Sequence, residues 1–149
     1  MTTPLIRRFS FLERIVHWVV GVTFVVLLGT GLAFAYPSLF WLTTLLGGGA
    51  AARVLHPQIG ALFGVGMLFM FGLWVRDMFL DGKDRAWLGA IKHYATHDRD
   101  KVPPAGKYNA GQKLFFWVQS LLGIVFVVFG GLMWFPESFG AAWLNTARL

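Results

Sequence analysis

Residues 15–36 read IVHWVVGVTFVVLLGTGLAFAY, 22 residues without a carboxylate, lysine or arginine. That length exceeds the roughly 20 residues an α-helix needs to cross the hydrocarbon core of a bilayer. Two further runs match it, Val54–Val75 and Leu114–Phe135. The whole chain agrees: 56% of residues are hydrophobic, only 13% are charged, and the mean hydropathy is +0.62. A soluble domain carries about 25% charged residues. The fold class expected is therefore all-α integral membrane, with three transmembrane helices at about 12–36, 54–76 and 110–136 in a single membrane domain over 1–149. A large soluble core is excluded. No internal repeat or low-complexity segment is apparent.

The ends of these runs are legible. Ser10-Phe11-Leu12-Glu13 fits a capping box, in which serine and glutamate satisfy free backbone N–H groups. Pro37 stops the first helix. The link 37–53, with Trp41 and Gly47–Gly49, reads as an interfacial loop. His56-Pro57 reads as the opening of the second helix, because proline suits a first turn. Asn109 is a good N-cap for the third helix, with Gln112 at the third helical position. The basic start Arg7-Arg8 precedes a run too long for a cleavable signal peptide, so the first helix is expected to be retained.

The formal charge of +6 is unevenly placed. Arg76, Lys83, Arg85, Lys92, Arg99, Lys101, Lys107 and Lys113 lie between the second and third runs, and Arg7, Arg8 and Arg14 lie before the first. Only Arg53 and Arg148 fall on the other side. By the positive-inside rule the N-terminus and the 76–113 segment are cytoplasmic. The basic excess is thus a topology signal, suited to anionic membrane lipid rather than nucleic acid. There are no cysteines, which excludes disulfides, thiolate-bound zinc and iron–sulfur clusters built by this chain.

Two histidines carry the chemistry. His17 sits at the cytoplasmic end of the first helix and His56 at the outer end of the second. An ionisable group at membrane depth usually has a partner or a function, and neutral imidazole is a common haem ligand. Most of a core about 30 Å thick separates the two, so they cannot flank one iron; if both ligate, two haems are implied. Gly60 and Gly64 follow His56 at i+4 and i+8, and Gly21 follows His17 at i+4. These glycines suit close approach by a flat macrocycle, and they suit helix packing at least as well. His93 and His97 share an i, i+4 spacing but have no evident third ligand, so solvated loop histidines are the expectation. The free N–H groups at the start of the third helix could meet an anion or a quinone carbonyl. No carboxylate pair for proton pumping, phosphate loop or nucleophilic triad is present.

Three strings of residues resemble one family: Arg14-Ile15-Val16-His17-Trp18, Arg53-Val54-Leu55-His56-Pro57, and Lys107 through Lys113 followed by Phe116-Trp117. The chain resembles, from about Arg8 to Trp134, the gamma subunit of membrane-bound respiratory formate dehydrogenase, a di-haem cytochrome b. The first two strings are shared with cytochromes b of hydrogenases and related dehydrogenases; the Lys107–Lys113 string is the specific one. The resemblance implies His17 as axial ligand of an inner haem b and His56 as axial ligand of an outer one, with Asn109 and Gly111 lining a quinone site. It implies an iron–sulfur subunit and a molybdenum- or tungsten-containing catalytic subunit as partners, and location in the bacterial cytoplasmic (inner) membrane. Electrons would pass from formate through clusters and haems to quinone, leaving no residue here catalytic toward formate. The family also has a fourth helix bringing the other two haem-ligating histidines. This sequence ends at Leu149, where that helix would begin, and Phe139–Leu149 reads as an approach to it; the expectation is a chain truncated before that helix. The alternatives are a haem-free structural anchor, or a cytochrome b of a hydrogenase or thiosulfate-type reductase.

Overall fold

The computed structural model describes residues 9–104 and 106–135. Arg7, Arg8, Arg148 and the segment Phe139–Leu149 lie outside the described residues. The described chain is all-helical, and three helices are long and apolar enough to cross a membrane: α1 (Phe11–Ala35), α2 (Gly49–Trp74) and, after two short helices, α5 (Ala110–Trp134). The short helices are α3 (Gly82–Gly89) and α4 (Ile91–Ala95).

Both expected capping boxes form. The Ser10 hydroxyl accepts from Glu13 N and the Glu13 carboxylate accepts from Ser10 N. Asn109 Oδ1 accepts from Gln112 N at 2.9 Å, and Gln112 Oε1 accepts from Asn109 N at 3.0 Å. Each box pairs backbone donors that a helix start leaves without intrahelical partners.

Two expectations are corrected. The 37–53 link is no loop: Pro37–Leu46 is a 3₁₀ helix, and Gly49 already belongs to α2. Pro37 supplies a preset φ at its first turn, and the hydroxyls of Thr43 and Thr44 donate to the carbonyls of Phe40 and Trp41, three residues back. Gly47 and Gly48, at φ 85° and 97°, then reverse the chain, and Phe40 lies over Gly49 where no Cβ would fit. Consequently α2 starts at Gly49 rather than near Val54, and Pro57 stands inside the helix, not in its first turn. Gly49-Ala50-Ala51-Ala52 is sufficient to begin the helix, since alanine is the strongest helix former. An interior proline is tolerated in a spanning helix where neighbouring groups satisfy the freed carbonyl.

Helix α2 is the middle element, packed on α1 along one side and on α5 along the other. Glycines set these approaches. A Cβ on Gly66 would stand 2.8 Å from Val20 of α1; one on Gly64 would stand 3.2 Å from Val127 of α5. Gly60 faces Leu27 of α1 more loosely, at 3.9 Å. The glycines after His56 therefore serve helix packing, which in lipid rests on close van der Waals contact.

At the charge-rich end, the segment between α2 and α5 folds back onto α5. Lys113 Nζ donates to Asp84 Oδ2 at 2.7 Å and to the Phe79 carbonyl at 3.1 Å, with both charged side chains buried. Trp117 Nε1 donates to the Met78 carbonyl. The Lys113 ammonium holds the Asp84 carboxyl below the usual carboxylate range. Its contribution to docking is thus complete at neutral pH and is lost as pH falls through that depressed pKa. Removing one partner of a buried ion pair costs about 3–5 kcal/mol. Lys113→Met is expected to release the 78–108 segment, seen as faster tryptic cleavage at Lys83 and Arg85, and the double variant Asp84→Leu/Lys113→Met is expected to recover much of the protection. Unchanged cleavage in Lys113→Met would show that the pair does not hold the segment.

Candidate functional site

His17 and His56 occupy different levels of the bundle. His56 reaches α1 at Thr30, 13 residues beyond His17. At 1.5 Å rise per residue that is roughly 20 Å along the helix. One iron cannot take both as axial ligands.

His17 lines a cavity of about 490 Å³ that opens between α1 and α5 over the floor of α2. Its α1 wall includes Glu13, His17, Gly21 and Phe24; its floor includes Phe63, Met67 and Trp74; its α5 wall includes Gln112, Phe116, Gln119 and Phe126. The size falls within the range of small-molecule and cofactor sites, as does an apolar wall with a few polar groups. The His17 ring stands edge-on to Trp18 and makes no hydrogen bond among the described residues. Gly21, one turn on, leaves open space: a Cβ there would meet nothing within 4 Å. At this position the glycine does not pack a neighbouring helix. The space beside this face and His17 could admit a planar group.

Several cavity residues were not singled out from the sequence. Gln119 lies seven residues after Gln112, the two-turn spacing that puts both on one face of α5. Met67 covers Gly123, where a Cβ would collide with it. Such flexible thioethers adapt to irregular space. These positions follow from how α2 and α5 cross, which local pattern does not disclose.

Asn109 and Gly111 fall beside this cavity rather than in its wall. Asn109 lines a smaller polar pocket of about 140 Å³ with Asp77, Asp81, Lys107 and Lys113. Its Oδ1 is engaged as the α5 cap. Gly111 is covered by the Trp87 ring of α3, 3.4 Å from where a Cβ would stand. Their neighbour Tyr108 lines both spaces and is buried. Burial pushes its phenol above the usual range. Asp77 pairs with Lys107 at 2.9 Å and holds that ammonium in its charged form. Lys107 also approaches Glu13 at 3.9 Å, and Glu13 accepts from Trp74 Nε1 at 2.7 Å. One polar string thus ties the starts of α1 and α5 to the end of α2.

His56 is half-buried between α2 and α1. Its Nδ1 lies 2.6 Å from the Thr30 hydroxyl, the Phe34 ring stands edge-on at 5.5 Å, and Gly31 abuts its Cε1 edge. His93 and His97 are not brought together on one helical face. Helix α4 ends at Ala95, and His97 follows with a left-handed φ of 59°. His93 Nδ1 instead approaches Asp98 at 3.6 Å. Among the described residues no cluster of three or more His, Cys, Asp or Glu side chains could hold a metal ion by itself. The donors present are single imidazoles, a set suited to one axial position of a haem each and not to a bare metal ion.

Comparison with known proteins gives a consistent result. The sequence pattern of the prokaryotic cytochrome b561 family matches residues 8–148. The chain is 38% identical over 136 residues to the cytochrome b556(Fdn) subunit of nitrate-inducible formate dehydrogenase from Escherichia coli (strain K12), covering 90% of this chain and 62% of that protein. It is 30% identical over 131 residues to the cytochrome b556(fdo) subunit of formate dehydrogenase from the same organism, covering 88% and 61%. To the cytochrome b556 subunit of formate dehydrogenase from Haemophilus influenzae it is 32% identical over 121 residues, covering 81% and 51%. The chain thus spans about three fifths or less of the length of these curated relatives.

The open face at Gly21 yields a direct test of the cavity. Gly21→Leu replaces a helix-interior glycine without collision at Cβ, so the chain is expected to accumulate normally. The added side chain fills the space beside His17, and the haem content of the purified protein is expected to fall. An unchanged haem content would show that haem does not use this cavity.

Proposed function

The chain belongs to the prokaryotic cytochrome b561 family, and from that membership, which implies haem b, we propose that it is the membrane anchor and electron-transfer subunit of a formate dehydrogenase complex that reduces quinone. In this reading an iron–sulfur subunit and a molybdenum- or tungsten-containing catalytic subunit oxidise formate outside the bilayer. The complex sits in a bacterial cytoplasmic membrane with the charge-rich end inward. The observation that carries the reading is the arrangement of the two imidazoles: one beside a 490 Å³ cavity, the other held at the opposite end of the same helix pair. Two axial donors roughly 20 Å apart along a helix suit two haems arranged across a membrane, one at each side.

Bound haem b supplies a one-electron carrier. The protein supplies position and surroundings. His17 offers an imidazole without competing hydrogen bonds among the described residues, in a cavity whose walls are mostly apolar. His56 offers an imidazole whose second nitrogen is already engaged. The start of α5 is the proposed quinone site, with Asn109 and Gly111 as its residues and the Asp77–Lys107 pair as the polar connection to the charged end. Tyr108, which borders both spaces, joins that site to the cavity of His17.

A haem-free anchor is the second reading, and one observation favours it: the Thr30–His56 pair would by itself serve as an interhelical hydrogen bond. The two readings separate on His56→Ala in the assembled complex. The variant is expected to lose one b-haem and formate-driven quinone reduction while formate oxidation by an artificial dye persists. A complete haem spectrum in the variant would contradict the ligand assignment. Asn109→Ala is expected to slow quinone reduction several-fold with haem content unchanged, whereas Asn109→Asp keeps a capping oxygen and separates loss of the cap from loss of quinone contact. Unaltered quinone kinetics in both variants would remove Asn109 from the site.

A further inference from the structure

We infer that Thr30 is the positioning residue for His56: its hydroxyl accepts the Nδ1 proton, fixes the tautomer that leaves Nε2 free for iron, and tunes the potential of the haem held there. The inference rests on the haem assignment proposed above and adds a residue to it from a different helix. Thr30 is 2% exposed, and its Oγ1 lies 2.8 Å from the Val26 carbonyl and 3.3 Å from that of Leu27. A hydroxyl has one proton to give. In a helix threonine gives it to the carbonyl one turn back, which leaves an oxygen lone pair toward the imidazole 2.6 Å away. The short contact then requires His56 to donate from Nδ1. In neutral imidazole, a proton on Nδ1 leaves Nε2 with its lone pair. No other hydrogen bond to the ring is found among the described residues.

The ring is also held in orientation. Phe34 stands edge-on to it, and Gly31, adjacent to Thr30, lets α1 come near its Cε1 edge. Hydroxyl, glycine and aromatic ring come from positions 30, 31 and 34 of a single helix, so α1 supplies all three contacts to an imidazole that belongs to α2. A partner that accepts the second N–H of a metal-bound histidine fixes its orientation and makes it a more basic ligand. Greater basicity favours ferric over ferrous iron, so losing the acceptor raises the haem potential. His17 has no such acceptor among the described residues, so the effect belongs to one haem of the pair.

The test is a redox titration of the purified complex, followed by haem absorbance, for wild type, Thr30→Val and Thr30→Ser. Valine keeps the shape and removes the acceptor; serine keeps the acceptor. Thr30→Val is expected to shift the ferric/ferrous equilibrium of one haem about tenfold toward the ferrous form, equal to about 59 mV upward for one electron, while the other haem is unmoved. Thr30→Ser is expected to stay within about twofold of wild type. If Thr30→Val loses that one haem and keeps the other, retention of both at native potentials in Thr30→Ser supports the inference, and loss in Thr30→Ser overturns it. Unchanged potentials in Thr30→Val, or an equal shift in both variants, also overturn it. Failure of the underlying assignment shows separately, as a full haem complement in His56→Ala.

Discussion

Hydrocarbon offers no hydrogen bonds, and the rest of this structure follows from that. An unpaired polar group buried there costs several kcal/mol, so a spanning chain must satisfy its polar groups from within. Thr23 and Thr30 return their hydroxyls to carbonyls one turn back in α1. Thr43 and Thr44 do the same in the 3₁₀ helix. Against this background the two span histidines stand apart. His17 has no hydrogen-bond partner among the described residues, and His56 has one, at a single nitrogen. Both imidazoles thus keep a nitrogen without a hydrogen bond among the described residues, and the proposed haem ligation rests on that feature.

The same constraint explains where the charges collect. Glu13, Asp77, Asp81, Asp84, Lys107 and Lys113 lie at one end and form two clusters: Glu13 with Lys107 and Asp77, and Lys113 with Asp84 and Asp81. Within the second the Lys113–Asp84 pair is buried, and its worth lies in fixing the returning segment on α5 rather than in net stability, since buried pairs offset their own desolvation. These contacts place Trp87 over Gly111 and Tyr108 between the polar pocket and the cavity. The geometry of the proposed quinone site is therefore set by segments outside the bilayer.

What the sequence disclosed was local. The three spans, both capping boxes, the charge asymmetry and the separation of the two histidines are each written in runs of a few to some twenty residues, so pattern and spacing suffice. The start of α2 is not legible in this way: His56-Pro57 has the form of a first turn, while Gly49–Ala52 upstream begins the helix and Pro57 stands inside it. The Gly47–Gly49 run and Pro37 suggested a loop, yet the apolar residues between them coil as a 3₁₀ helix. The Thr30–His56 contact joins residues 26 apart, and the cavity depends on the divergence of α1 from α5. Such features arise from how helices cross. Gly21 was the partial exception, since its i+4 relation to His17 is visible in the sequence and its open face is visible only in the fold.

The central claim is that these imidazoles hold haem, and a reduced-minus-oxidised visible spectrum of the purified complex, with pyridine haemochrome quantitation per copy of this chain, tests it most directly. The account predicts a b-type spectrum at two haems per chain. A complex that contains this chain at full occupancy and shows no haem would contradict it, and would leave His17 and His56 as structural residues of a membrane anchor.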